Sequence, residues 1–373
     1  MTAPHETRPS ASASPTITLG EHLGGQLDRL CMAAGVPDPV GAYGASLREL
    51  LGAAAGRPLS APPPSPSFVS DDHSPAEFSL SLPWGHPPAV RVLAEPGCTA
   101  RTLAGGGREG WAAVERLARI WGFSTEPLRR IADLFLPAAP HGRFALWCAM
   151  DLRTHGDPGF KVYVNPEAQG RQRAPEVVEE ALARLGHSAA WPGLRRGLAA
   201  RCPEEDRFAF LAVDLGAWDV PRVKVYVAHR RFSAGRAEQA AGLLPGRHQG
   251  VFTEFCRVAG GRDRFDRRPL VSCLTFTGAD VSGPSACTLH LPVRDYARDD
   301  AEARARTLAV LARHGMDAAP LDRALAAMTP RPLTDGVGLI SYLSLVRQSR
   351  GPSRVTVYLS PEAYRVFPAR TGS

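Results

Sequence analysis

Hydrophobic positions along the chain recur with two different periods. Leu19, Leu23, Leu27 and Leu30, and then Tyr43, Leu47, Leu50 and Leu51, fall at helical spacing and predict two helices near the N-terminus. Three more helix-period segments cover about 109–121 (Trp111, Val114, Leu117, Ile120), 174–186 (Val177, Val178, Ala181, Leu182, Leu185) and 299–314 (Leu308, Val310, Leu311). Shorter runs of strand character, such as Phe144 to Leu152 and Phe160 to Asn165, come in pairs joined by a turn segment. Residues 1–16 are rich in Ser, Ala, Pro and Thr and predict a disordered tail, and Pro58 to Ser67 reads as a Pro-rich connector. Residues 17–373 are expected to form a single domain.

The strand pairs repeat. Ala149 to Val164 (AMDLRTHGDPGFKVYV) and Ala212 to Val227 (AVDLGAWDVPRVKVYV) match at 8 of 16 positions without a gap. The frame returns more faintly around Arg91, at Thr288-Leu-His290-Leu-Pro and at Thr356-Val-Tyr358-Leu-Ser-Pro. Positions 91, 161, 224, 288 and 356 lie 70, 63, 64 and 68 residues apart, which gives five units of similar length. Five hairpins supply ten antiparallel strands, and a sheet of that size either exposes its edges or closes. The pattern therefore predicts an α+β fold: a closed ten-stranded antiparallel β-barrel surrounded by α-helices, built from five αββα repeats.

Alternation then decides what faces the lumen. In the second strand of a unit, Lys161 and Tyr163 share one face and Val162 and Val164 the other. With helices outside, the valines face the helices and the Lys/Tyr face lines the interior. Arg91, Lys161, Arg222, Lys224 and Arg354 are thereby gathered at a similar height. Several cations in a confined volume repel one another and lose hydration, so an anion must compensate them. A diphosphate does so, with oxygens that suit both guanidinium and ammonium donors. Pairing with the repeat acids Asp151 and Asp214 is the alternative use of the same charges. Tyr163, Tyr226 and Tyr358 follow the basic or Thr position by two residues and offer cation–π faces beside it. Glu77, the single acid of the first strand, can accept an N–H or take a proton.

Composition narrows the classes. The 373 residues carry a net charge of +7, spread along the chain instead of packed on one helix, which disfavours nucleic acid as the partner. Seven scattered cysteines (Cys31, Cys98, Cys148, Cys202, Cys256, Cys273, Cys287) show no zinc-site spacing and read as reduced, mostly buried thiols. No apolar run is long enough for a membrane span and the N-terminus lacks the order of a signal peptide, so the protein is expected in the cytoplasm with no membrane partner. No DDxxD-like carboxylate cluster is visible, so no metal site is expected.

The segments PAEFSLS, VRVLAEP, MDLRTHGDPGFKVYVNP, PRVKVYV and RVTVYLSPEAY resemble those of the indole prenyltransferase (dimethylallyltryptophan synthase) family, over roughly residues 17–373. The resemblance implies the ten-stranded αββα barrel and transfer of a dimethylallyl group from dimethylallyl diphosphate to the indole of L-tryptophan. It also implies that no cofactor or Mg is required, and the chain is expected to act as a monomer or homodimer. It implies that Glu77 binds the indole nitrogen, that Arg91, Lys161 and Lys224, assisted by Arg222, hold the diphosphate, and that Tyr163, Tyr226 and Tyr358 shield the allylic cation. Trp147 stands four residues before the repeat Asp, where members that attack indole C4 carry a lysine, and it is expected to contact the indole. Thr288 and His290 replace a Gln-x-Tyr pair; Thr288 keeps a hydrogen-bonding group and His290 serves as shield or base. Trp147 and the chain length are similar to bacterial members that prenylate benzenoid carbons or N1. Another acceptor (an indole in a peptide, a phenol or a naphthalene) and a non-catalytic barrel binding an anionic ligand are the competing readings.

Overall fold

The computed structural model describes residues 17–199, 206–240, 244, 250–279, 281–349 and 351–371; the predicted tail 1–16 and Cys202 lie outside them. The strands are β1 (Ala76–Pro83), β2 (Ala89–Ala94), β3 (Leu146–Arg153), β4 (Gly159–Val164), β5 (Asp206–Leu215), β6 (Val223–His229), β7 (Phe232–Ser233), β8 (Arg264–Phe265), β9 (Leu270–Phe276), β10 (Ala286–Leu291), β11 (Ile340–Gln348) and β12 (Arg354–Leu359). Apart from β7 and β8, which pair with each other, they close into one barrel in the order β1-β12-β11-β10-β9-β6-β5-β4-β3-β2. Each of the five repeat units is one hairpin, preceded by helix.

The predicted helices are present as Leu19–Ala34, Ala42–Leu51, Leu103–Trp121, Ala174–Arg184 and Asp300–Arg313. Thr18 starts the first with a capping box: its hydroxyl accepts from the Glu21 amide at 3.2 Å, and the Glu21 carboxylate accepts from the Thr18 amide at 2.8 Å. The third begins at Leu103, earlier than its hydrophobic spacing indicates. Its first turns hold Gly105, Gly106 and Gly107, poor helix formers. Gly107 packs closely there, since a Cβ would lie 3.1 Å from Leu136 Cδ2. Helices Trp191–Ala199, Val251–Gly260 and Ala319–Met328 add to the outer layer.

The hydrophobic core lies between barrel and helices. Val162, Val164, Val223, Val225, Val227, Val355 and Val357 face outward and are buried beneath the helices. At roughly 1.5–3 kcal/mol for a fully buried side chain of this size, that outer layer stabilises the closed sheet. The lumen is left free to carry polar chemistry. The six described cysteines are buried, and among the described residues no helix is long and apolar enough to cross a membrane.

Candidate active site

Cross-strand register stacks the inward side chains into three layers. The first holds the pairs Glu77/Leu93, Trp147/Tyr163, Phe210/Tyr226, Val271/His290 and Tyr342/Tyr358. The second holds Ser79/Arg91, Ala149/Lys161, Ala212/Lys224, Cys273/Thr288 and Ser344/Thr356. In the third, Asp151 stands opposite Gly159, Val346 opposite Arg354, and the Asp214 amide bonds the Arg222 carbonyl. Equivalent repeat positions thus reach equivalent depths, as the sequence frame predicts.

The first layer is aromatic and uncharged. Tyr163 and Tyr226 lie 5.8 Å apart between ring centroids, His290 sits 5.8 Å from Tyr226 and 5.7 Å from Tyr358, and Phe210 lies tilted 5.2 Å from Trp147. Together with Glu77 and Arg91 these side chains line a cavity of about 160 Å³. Burial pushes the three tyrosine hydroxyls upward, so they remain neutral phenols. The His290 Nδ1 lies 3.0 Å from the Val271 carbonyl, which only accepts, so the ring hydrogen is on Nδ1 and Nε2 keeps a lone pair. Burial holds the His290 pKa down to about 4, and the imidazole is neutral at neutral pH. Glu77 accepts from the Ser341 hydroxyl at 2.7 Å, and burial raises its carboxyl to about 8.

The second and third layers are cationic. Asp151 bridges Arg91, through a short contact, and Lys161, at 2.7 Å. Asp214 joins Lys161 at 3.8 Å to Arg222 at 2.5 Å. Both alternatives for these charges are therefore realised: the cations face the lumen, and repeat acids pair with some of them. Lys161 is 1% exposed and Lys224 8%, yet Lys224 and Arg354 make no ion pair among the described residues. Burial and the neighbouring Lys161 bring Lys224 down to about 7. Thr288 is buried in the same layer. Beyond the layer, toward the hairpin turns, Asp151, Asp214 and Arg222 border a second cavity of about 820 Å³ beside the half-exposed Trp218.

The predicted site residues on the barrel strands face the lumen and Arg222 stands just before β6 at the hairpin-end cavity, but the aromatic cavity also uses residues outside the repeat frame. Phe68 and Val69 close one end of it. Their segment follows the Pro-rich connector and is pinned by Ser67 on Glu95 (2.5 Å), Ser70 on Ser360 (2.9 Å) and Asp71 on Arg268 (2.9 Å). Phe210 is the repeat counterpart of Trp147, four residues before its Asp, and that spacing could have found it. Tyr342 is hidden by a register shift between Ile340 and Tyr342, which breaks the alternation of its strand. Among the described residues no group of three or more His, Cys, Asp or Glu side chains is arranged to hold a metal ion.

A closed antiparallel barrel wrapped in helices, with an aromatic layer directly above a cationic one, defines an aromatic prenyltransferase of the αββα class. Residues 45–248 match the family described as tryptophan dimethylallyltransferase. The chain is 52% identical to the prenyltransferase PriB solved with L-tryptophan and dimethylallyl thiolodiphosphate, over 95% of this chain and 99% of that one, with a TM-score of 0.87. It is 48% identical to 5-dimethylallyltryptophan synthase from Streptomyces coelicolor, over 94% and 100% of the two chains, TM-score 0.88. It is 44% identical to 6-dimethylallyltryptophan synthase from Micromonospora olivasterospora, solved with DMASPP and Trp, over 94% and 99%, TM-score 0.89. The protein belongs to the tryptophan dimethylallyltransferase family.

Proposed function

We propose that residues 17–373 form one cytoplasmic catalytic unit that transfers a dimethylallyl group from dimethylallyl diphosphate to a benzenoid carbon of free L-tryptophan, without a metal. The observation that carries this reading is the stacking of a neutral aromatic layer on a buried layer of basic side chains in one closed lumen. Arg91, Lys161, Arg222 and Lys224 hold the diphosphate, with Thr288 donating a hydrogen bond, and stabilise it as it leaves. Departure of diphosphate generates an allylic cation, which the faces of Tyr163, Tyr226, His290 and Tyr358 stabilise and screen from water. Glu77 accepts the indole N–H and orients the ring, while Trp147 and Phe210 pack beside it.

Attack by the indole forms the new carbon–carbon bond and leaves an arenium ion. Its ring proton is extremely acidic, so a base as weak as His290 suffices, provided it is neutral and has a free lone pair. The His290 Nε2 meets both conditions. Relatives named for the 5 and 6 positions support attack on the benzenoid ring, and Trp147 in place of a lysine base disfavours its C4 position. The test is incubation of the full chain with dimethylallyl diphosphate and L-tryptophan in EDTA. The expected product is one C5H8 heavier than tryptophan, with NMR locating the group on the benzenoid ring; diphosphate binding with no such product would identify a non-catalytic barrel.

A further inference from the structure

The five units do not contribute equally to the cationic layers, and the barrel register explains why. At each seam between hairpins the register advances, so a second-layer residue of one unit stands beside a third-layer residue of the next. Arg91 meets Asp151, Lys161 meets Asp214, and Lys224 meets Thr275. Two seams therefore place a carboxylate against a cation, and the third places a neutral hydroxyl against Lys224.

We propose that Asp151 and Asp214 are built-in stand-ins for diphosphate: they neutralise the cations of the empty barrel, are displaced when diphosphate binds, and re-pair with the cations as it departs. Thr275 leaves Lys224 open as the first point of attachment. The inference rests on the assignment of this layer to diphosphate. An ammonium buried without a counter-charge loses several kcal/mol of hydration, so Lys161 at 1% exposure needs an anion in the empty state. A site that supplied that anion at every cation would bind diphosphate poorly, because each bond to it would first break an internal ion pair. A site that supplied none would pack like charges together and release diphosphate slowly. The observed arrangement lies between these limits: Arg91, Lys161 and Arg222 share two carboxylates, and Lys224 and Arg354 pair with neither. Asp151 and Asp214 also border the hairpin-end cavity, so the exchange takes place where the departing diphosphate reaches that opening.

The proposal sets opposite signs for two conservative substitutions, read by calorimetric titration of the full chain with inorganic pyrophosphate. Asp151→Asn removes a competitor and is expected to tighten binding roughly tenfold, about 1.4 kcal/mol. It also lowers the melting temperature of the empty protein, and saturating pyrophosphate recovers more of that loss than it adds to the wild type. Thr275→Asp gives Lys224 its own carboxylate and is expected to weaken binding by roughly the same factor. Weaker binding by Asp151→Asn, or no change with Thr275→Asp, would overturn the proposal, because the carboxylates would then organise the cations instead of competing for them. Lys224→Ala separates this failure from failure of the underlying assignment. If that variant binds pyrophosphate as the wild type does, the layer is not the diphosphate site and both readings fall.

Discussion

The two halves of the lumen are built by the same repeat and differ in one respect: what burial is allowed to do to charge. In the aromatic half burial outweighs the hydrogen bonds from Ser341 to Glu77 and from His290 to Val271, holding His290 near 4 and Glu77 near 8, so both are predominantly neutral at pH 7. In the cationic half ion pairs oppose it where they form: Arg91 and Lys161 hold the buried Asp151 carboxyl well below its usual range, while Lys224, which has no ion pair among the described residues, is brought down to about 7. Neutral, electron-rich walls suit a short-lived cation, and fixed positive charge suits the diphosphate anion it leaves. Two substrate fragments of opposite charge can then separate without solvent, each into the half that stabilises it.

The largest effect is expected from weakening the cationic half. Lys161→Ala and Lys224→Ala should each lower kcat/KM for dimethylallyl diphosphate by roughly 10²–10³-fold, the scale for losing a charge-stabilising donor in a closed site. Steady-state kinetics at saturating tryptophan measure it.

Glu77 comes next, and there activity and stability move in opposite directions. Its carboxylate is the better acceptor for the indole N–H, so kcat/KM for tryptophan should climb with pH to a midpoint of about 8. The folded pKa lies above the ordinary value of 4.5, so its contribution to stability is complete below 4.5 and is lost as pH rises through 8. Glu77→Gln should remove the pH limb, reduce kcat/KM by about 10²-fold and melt higher than the wild type at pH 9. A pH–rate profile and a melting series measure the two.

Smaller still, Tyr226→Ala should admit water to the cation and divert product to dimethylallyl alcohol, with roughly a tenfold loss of tryptophan prenylation; Tyr226→Phe keeps the ring face and should keep the partition. Chromatography of both products gives the ratio. His290→Phe should cost least, less than about tenfold, because the arenium proton is so readily lost that water can serve. Its pH profile should match the wild type above pH 5, since His290 already titrates near 4.

The sequence made the barrel and the inward face readable for one reason: alternation within a strand is local, and the repeat carries it from unit to unit. Lys161 with Tyr163 and Lys224 with Tyr226 could be assigned to the lumen from spacing alone. The seams between hairpins were not readable, because their register depends on closure of the whole sheet. The Arg91–Asp151 contact and the Thr275 gap beside Lys224 follow from those seams. Phe68 and Val69 were hidden for another reason. They lie on an irregular segment held by single side-chain contacts, which leave no periodic trace.

The most direct measurement is a crystal structure of the protein with L-tryptophan and the unreactive thiolo analogue of dimethylallyl diphosphate. Diphosphate oxygens are predicted on Arg91, Lys161 and Lys224, the prenyl chain between Tyr163, Tyr226 and Tyr358, and the indole nitrogen on Glu77. A diphosphate seated outside the barrel, or a lumen in which Asp151 and Asp214 keep the cations while the analogue binds elsewhere, would contradict the division of the lumen into a cation-stabilising and a diphosphate-stabilising half.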